Sequence, residues 1–429
     1  MKEFNPTNYK LLCVATGREF EDAGWTLDDK ECDKPSLVRT FYEKSQIEVK
    51  DDSYGLYKFA DWLPVKRILK GSSAPVTYKS EGLAKYLGLK NLYITLNGYY
   101  PVRGALMTTC SFKETEAYSV CARATEDNDR VLVVASAGNT ARAFAKVCSE
   151  NNIKLLLSIP ADNLDAMWFE TPLNPCVKLI ACEKGGDYFD AIHLSNIALK
   201  SRKFYAEGGA KNVARRDGMG TTFLSAATTI GQIPDYYFQA VGSGTGAVAA
   251  WEANMRLIED GRFGKTMTKL MVSQNAPFVP MYDAWRVDSR IMLPYDEVKA
   301  HRDVEIIDAK VLSNRKPPYG IIGGLYDALK ATEGEVLVAT NQQGRKAAQL
   351  FQELEGVDIH PAAGIATASL IKAVEAGKVD PDKIVMLNIT GAGEQLFKRD
   401  KELFHLEPSF VFSLKPDVDD VIAKVESLF

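Results

Sequence analysis

The chain has 429 residues, of which 46% are hydrophobic and 25% charged, and its formal net charge is -4. That length can bury a sizeable core and predicts two domains, or one large α/β body with a mobile lobe. The weak negative balance leaves no electrostatic footprint for nucleic acid, and no apolar run approaches the ~18 residues of a membrane span, so small molecules and further copies of the chain are the expected partners.

The first 73 residues read as an arm or small β element, with "KLLCVATGREFEDAGWTL" and "SLVRTFYEKSQIEV" as short antiparallel pieces bounded by Gly and Asp. "MKEFNPTNYK" lacks the apolar stretch of a secretory signal. Seven cysteines, an odd number spread along the chain, fit free thiols in a reducing compartment and predict a cytoplasmic protein. Cys13 and Cys32 raise the question of a zinc ribbon, but position 16 is Thr and the paired ligands are missing, so no metal is expected.

From about residue 91, short apolar runs alternate with helix-length segments: "NLYITL", "RVLVVASA", "IKLLLSIP", "VKLIAC", "YYFQAVG", "KLMVSQ", "EVLVAT" and "KIVMLNIT". Continuous rather than alternating apolar strands predict mainly parallel sheets flanked by helices on both faces, an α/β fold with two sheets.

"SFKE" reads as a capping box, Ser111 and Glu114 starting a helix at Ser111. Lys113 then sits in the first turn, where the positive end of the helix dipole disfavours an ammonium and lowers its pKa. Taken alone, it reads more readily as a surface lysine at an unfavourable helix end. "VVASAGNTARAFA" is a strand-to-helix turn in which Ser136, Gly138, Asn139 and Thr140 gather N–H groups, an amide and hydroxyls suited to a carboxylate, or an ordinary well-capped turn.

"YAEGGAKNVARRDGMGT" crowds Lys211, Arg215 and Arg216 into a glycine-rich loop that can clamp an anion or stay solvated. "YYFQAVGSGTGAVAAWEA" is a strand, a turn and a helix, in which Gly242, Gly244 and Gly246 let backbone approach a phosphate. Its rival is a dinucleotide fingerprint through Gly242, Gly244 and Ala247. The acid expected at the end of the next strand is absent, because "KLMVSQNAP" ends in Gln274 and Asn275 and Asp260 falls on the helix; a monophosphate is the better reading. "IVMLNITGAGE" places Thr390 at the carboxyl end of a strand, where parallel sheets bind ligands.

In this order, "SFK", "SAGNT", "GSGTG" and a late "TG" resemble the pyridoxal-phosphate enzymes of fold type II, the tryptophan synthase β class, over roughly residues 74 to 395. "APVTYKSEGLAKYLGLKNLYI" is similar to the entry of threonine synthases, and "TCSFKE", "SAGNTARAF" and "EGGAKNVARRDGMGT" most resemble the cysteate synthase branch of that family. The resemblance implies a large cofactor-binding domain over 74–118 and 216–429 and a smaller mobile substrate domain over 119–215, with a homodimer or higher homo-oligomer as the usual assembly.

It implies further that Lys113 is the Schiff-base lysine and that Asn139 bonds the ring hydroxyl of pyridoxal 5'-phosphate. Gly242, Ser243, Gly244, Thr245 and Gly246 would cradle its phosphate, and Thr390 would face its pyridine nitrogen. Ser136 and Thr140 would hold the substrate carboxylate. Arg103, Thr108, Arg142, Lys211, Arg215 and Arg216 are the candidates for binding a phosphoamino acid and an anionic nucleophile.

The implied reaction is a β-replacement, O-phospho-L-serine and sulfite giving L-cysteate and phosphate. The alternatives are a threonine synthase acting on O-phosphohomoserine and a non-catalytic amino-acid-binding protein on the same fold. "NGYYPVRGALMTTC" departs from the usual threonine synthase lead-in to the lysine, which puts that substrate geometry in doubt. None of the four histidines falls in these motifs, and none is assigned a role.

Overall fold

The structure, a computed structural model, describes residues 4–125, 128–136 and 138–429. Its largest sheet has seven strands. Five run parallel in the spatial order Glu335–Thr340, Lys269–Ala276, Tyr236–Ala240, Ile384–Ala392 and Asn91–Tyr100, and Val76–Lys79 and Ala105–Leu106 pair antiparallel with the last. A second, wholly parallel sheet of five strands is ordered Phe204–Ala206, Val131–Ala135, Leu155–Pro160, Val177–Cys182 and Phe410–Phe412.

The continuous apolar runs follow from burial on both faces. On one face of the large sheet lie the helices Asn341–Glu355 and Pro361–Glu375, and on the other Val213–Ile230 and Thr245–Asp260. The smaller sheet is covered on one side by Lys113–Arg123 and Asn139–Glu150 and on the other by Tyr188–Ala198 and Val418–Glu426. Among the described residues no helix is long and apolar enough to cross a membrane.

The N-terminal segment forms a three-stranded antiparallel sheet, Glu19–Phe20, Tyr9–Cys13 and Val38–Tyr42. It is stitched to the body by buried polar contacts. The hydroxyls of Thr40 and Tyr42 each donate to Asp217 at 2.6 Å, Asp217 pairs with Arg256 at 2.7 Å, and Arg39 reaches Glu252 at 3.2 Å.

The end of the chain departs from the expected division. Residues 404–429 leave the large sheet: Phe410–Phe412 becomes the edge of the five-stranded sheet, and Val421 and Val425 pack with Leu194, Ile197 and Phe204. An apolar face on the small sheet needs a cover, and this segment supplies it.

Two helices meet with almost no space between them. A Cβ on Gly218, in the Val213–Ile230 helix, would lie 2.4 Å from the Thr115 carbonyl oxygen of the Lys113–Arg123 helix. Glycine there lets the second helix lie directly against the first. Gly218→Ala is expected to destabilise the fold by ~1–3 kcal/mol, seen as a lower urea midpoint.

Candidate active site

The lysine loop is held by the end of the Ile384–Ala392 strand. The Phe112 N–H donates to the Thr390 carbonyl at 2.9 Å, and the Ala392 N–H donates to the Cys110 carbonyl at 3.1 Å. The helix starts at Lys113, two residues later than expected, with Phe112 as a cap that offers no side-chain acceptor. The capping box does not form because Glu114 turns back further: its Oε1 accepts the Thr109 N–H at 2.7 Å and the Thr109 hydroxyl at 2.9 Å. Ser111 Oγ instead accepts a long bond, 3.4 Å, from the Lys113 N–H.

Between the two sheets opens a cavity of about 460 Å³. It brings together Lys113, Ser136, Asn139, Thr140, Gly242 to Gly246, Arg215 and Thr390. Ala137, within the same turn as Ser136, lies outside the described residues.

The glycine turn is shaped to admit an anion. Gly244 is left-handed (φ 81°) and caps the Thr245–Asp260 helix without a side-chain bond, and the start of this 16-residue helix, Thr245 and Gly246, lines the cavity. A Cβ on Gly242 would sit 2.7 Å from the Val311 carbonyl oxygen, and one on Gly246 would sit 2.7 Å from Gln239 Nε2. The hydroxyls of Ser243 and Thr245 lie 2.8 Å apart beside it. A helix start whose Gly246 N–H is left without a protein acceptor among the described residues, two hydroxyls and backbone with no room for side chains fit the phosphate of pyridoxal phosphate.

Asn139 begins its helix, and its Oδ1 accepts from Arg142 at 2.9 Å. The amide NH2 is thereby left to donate toward the cavity. Arg142 is not an anion clamp. It is 2% exposed, spends its guanidinium on the carbonyls of Thr109 (3.0 Å) and Ala166 (2.9 Å), and stacks 4.0 Å over Trp168.

The structure leaves most of the other proposed anion-binding residues away from the cavity. Arg103 is exposed and stacks 4.3 Å over Tyr78. Thr108 lines a separate small recess beside Lys146 and Trp168. Lys211 pairs at the surface with Asp28 at 2.8 Å. Arg216 is buried against Glu252 at 3.0 Å and bonds the Ala210 and Val38 carbonyls. The 205–221 stretch is no flexible loop from residue 213 on, where a helix begins; only Arg215 of its three cations faces the cavity.

Sequence reasoning missed several neighbours. His360 lines the cavity, its Nε2 2.9 Å from Glu394, and it fits only because residue 391 is glycine: a Cβ there would meet His360 Nδ1 at 2.2 Å. The His-Pro pair at a helix start was a usable signal, since Pro361 occupies the first helical position. Glu207 and Tyr188 also line the cavity. Glu116, one turn beyond Lys113, lies 3.1 Å from its Nζ, at a spacing legible as i, i+3.

Burial lowers the Lys113 pKa; nearby Glu116 opposes this and Arg215 adds to it. Burial would raise the Glu394 carboxyl, but the His360 hydrogen bond and the charges of His360 and Arg142 hold it well below the usual range.

The family model described as "Pyridoxal-phosphate dependent enzyme" matches residues 75–391. The chain is 46% identical over 408 residues to the cysteate synthase of Methanosarcina mazei, covering 94% of this chain and 97% of that one. To the cysteate synthase of Methanocella arvoryzae it is 45% identical over 402 residues, covering 93% and 95%.

Among solved structures it resembles maize serine racemase (TM-score 0.56, 14% identity, covering 74% of this chain and 89% of that chain) and the serine racemase of Dictyostelium discoideum (TM-score 0.51, 16% identity, 74% and 91%). These two likenesses speak for the fold alone. With its lysine, phosphate-shaped glycine turn and strand-end threonine gathered in one cavity, the chain belongs to the pyridoxal-phosphate dependent enzymes of fold type II, on their cysteate synthase branch.

Proposed function

We propose that the chain replaces the phosphate of O-phospho-L-serine with sulfite, giving L-cysteate and inorganic phosphate. The carrying observation is the convergence of Lys113, Asn139, the 242–246 turn and Thr390 on one cavity, in a chain that matches cysteate synthases over nearly its whole length.

In this reading Lys113 holds the cofactor, the 242–246 turn grips its phosphate, and Asn139, oriented by Arg142, bonds its ring hydroxyl. Thr390 would face the pyridine nitrogen and offer it an uncharged hydroxyl in place of a carboxylate. When bound, the cofactor supplies an electron sink for a negative charge at the substrate Cα. Ser136 and Thr140, with the helix N–H groups beside them, orient the substrate carboxylate.

Lys113 Nζ takes the Cα proton, phosphate leaves the β carbon, sulfite bonds there, and Lys113 returns the proton. Burial lowers the pKa of Nζ and so favours its neutral, basic form relative to an exposed lysine. Arg215 is the cation placed to steady the departing and arriving oxyanions.

The reading includes closure of the smaller sheet over the substrate, supported by its contribution of Ser136, Asn139 and Thr140 to the cavity wall. It also includes a homodimer, supported by Val102 and Leu106 standing 83% and 51% exposed on one hairpin. A cytoplasmic setting accords with seven free cysteines.

Purified holoenzyme given O-phosphoserine and sulfite is expected to release phosphate and cysteate in equal amounts. Threonine and phosphate from O-phosphohomoserine alone would make it a threonine synthase, and amino-acid binding without turnover would make it a binding protein. Lys113→Ala should lower kcat by about 10²-fold or more. Gly242→Ala, which pushes a Cβ against the Val311 carbonyl, should weaken cofactor binding by roughly tenfold, about 1.4 kcal/mol, measured by cofactor titration. Arg142→Lys cannot reproduce the fork that holds Asn139 and Thr109, and should loosen the cofactor several-fold while Lys113 remains reducible onto it.

A further inference from the structure

Arg215, the cation assigned to the oxyanions, is already engaged by two carboxylates. Glu207 takes one edge of its guanidinium, Nε to Oε1 at 2.8 Å and NH2 to Oε2 at 2.5 Å. Glu116 takes the remaining nitrogen, with NH1 3.3 Å from Oε1 and 3.4 Å from Oε2. The same Oε2 is 3.1 Å from Lys113 Nζ.

Glu116 is fully buried (0% exposed), so its charge is stable only while a cation stays beside it. Lys113 from its own helix and Arg215 from the Val213–Ile230 helix are those cations. Glu207, from the loop before that helix, and Tyr188, from the Tyr188–Ala198 helix, are the other titratable groups facing the cluster. With Lys113 charged, the two cations balance Glu116 and Glu207.

Turnover changes that balance, because Lys113 Nζ alternates between being tied to the cofactor and being free. We propose that Glu116 is a positioning residue that receives the Lys113 amino group each time it is freed, holding it and its proton at 3.1 Å, and that leans on Arg215 when Lys113 is engaged. The inference rests on Lys113 being the cofactor's lysine.

One consequence follows from the geometry. The proton that Nζ takes from Cα is kept beside a carboxylate inside the site, ready to be returned, rather than stranded as an isolated buried ammonium.

The test is the pH profile of kcat of the holoenzyme with saturating O-phosphoserine and sulfite, whose acid-limb midpoint reports the proton on freed Nζ, in the wild type and three variants. Glu116→Gln removes a negative charge beside Nζ and is expected to move the midpoint down by about one unit. Arg215→Gln removes a positive charge and is expected to move it up, and Glu116→Asp to restore most of the wild-type value. A variant that merely loosened packing would not shift the midpoint in opposite directions for Gln at 116 and at 215.

Midpoints that stay together, or that move the same way in both charge-removing variants, overturn the inference. Borohydride reduction followed by peptide mapping separates this outcome from failure of the functional reading. Cofactor fixed to Lys113 with unmoved midpoints sinks the role of Glu116 alone, whereas cofactor fixed to another lysine sinks the assignment of Lys113 and this inference with it.

Discussion

Everything in the cavity depends on a short stretch of backbone pairing between a loop and a strand end. Phe112 donates to Thr390 and Ala392 donates to Cys110, and Ser111 and Gly391 form an isolated antiparallel bridge. These bonds put the first turn of the lysine helix in register with the carboxyl end of the central strand of the large sheet. Lys113 and Thr390 therefore face one space although 277 positions separate them in the chain. The backbone thus fixes where both side chains start, while Glu116 holds the amine at its far end.

The second organising constraint is electrical. The chain buries many charges and leaves few of them alone. Asp217 meets Arg256, Glu252 meets Arg216 and Arg39, Asp22 meets Arg123, and Glu394 meets His360 and Arg142. Pairs of this kind cost desolvation on both sides, and losing one partner leaves a buried charge uncompensated. Here they fasten the N-terminal arm to the body and fix Asn139 through Arg142, while the cluster around Arg215 sits against the chemistry itself.

The division between what could and could not be read from the chain follows from range. Strand type, the glycine turn and the lysine at a helix start are encoded within about a dozen consecutive residues, so they were legible. Arg142 and Arg216 were read as anion binders because an arginine's partner lies elsewhere: the Thr109 carbonyl in one case, Glu252 in the other. The capping box failed for a similar reason, since Glu114 had a second set of donors at Thr109 that the motif does not include. His360 enters the site only through the space left by Gly391, a relation between residues that no local pattern displays.

The strand at Phe410–Phe412 carries a consequence for how the chain reaches its native state. Until it docks, Val177–Cys182 is the open margin of an otherwise complete parallel sheet, apolar on both faces and bare of hydrogen-bond partners along one side. The segment that closes it lies more than 200 positions further along the chain. The large sheet waits likewise for Ile384–Ala392, which occupies its middle. Neither half can mature until these strands have been made, so the nascent protein passes through an interval in which an adhesive edge is exposed, and its yield in the cell depends on how that interval is guarded.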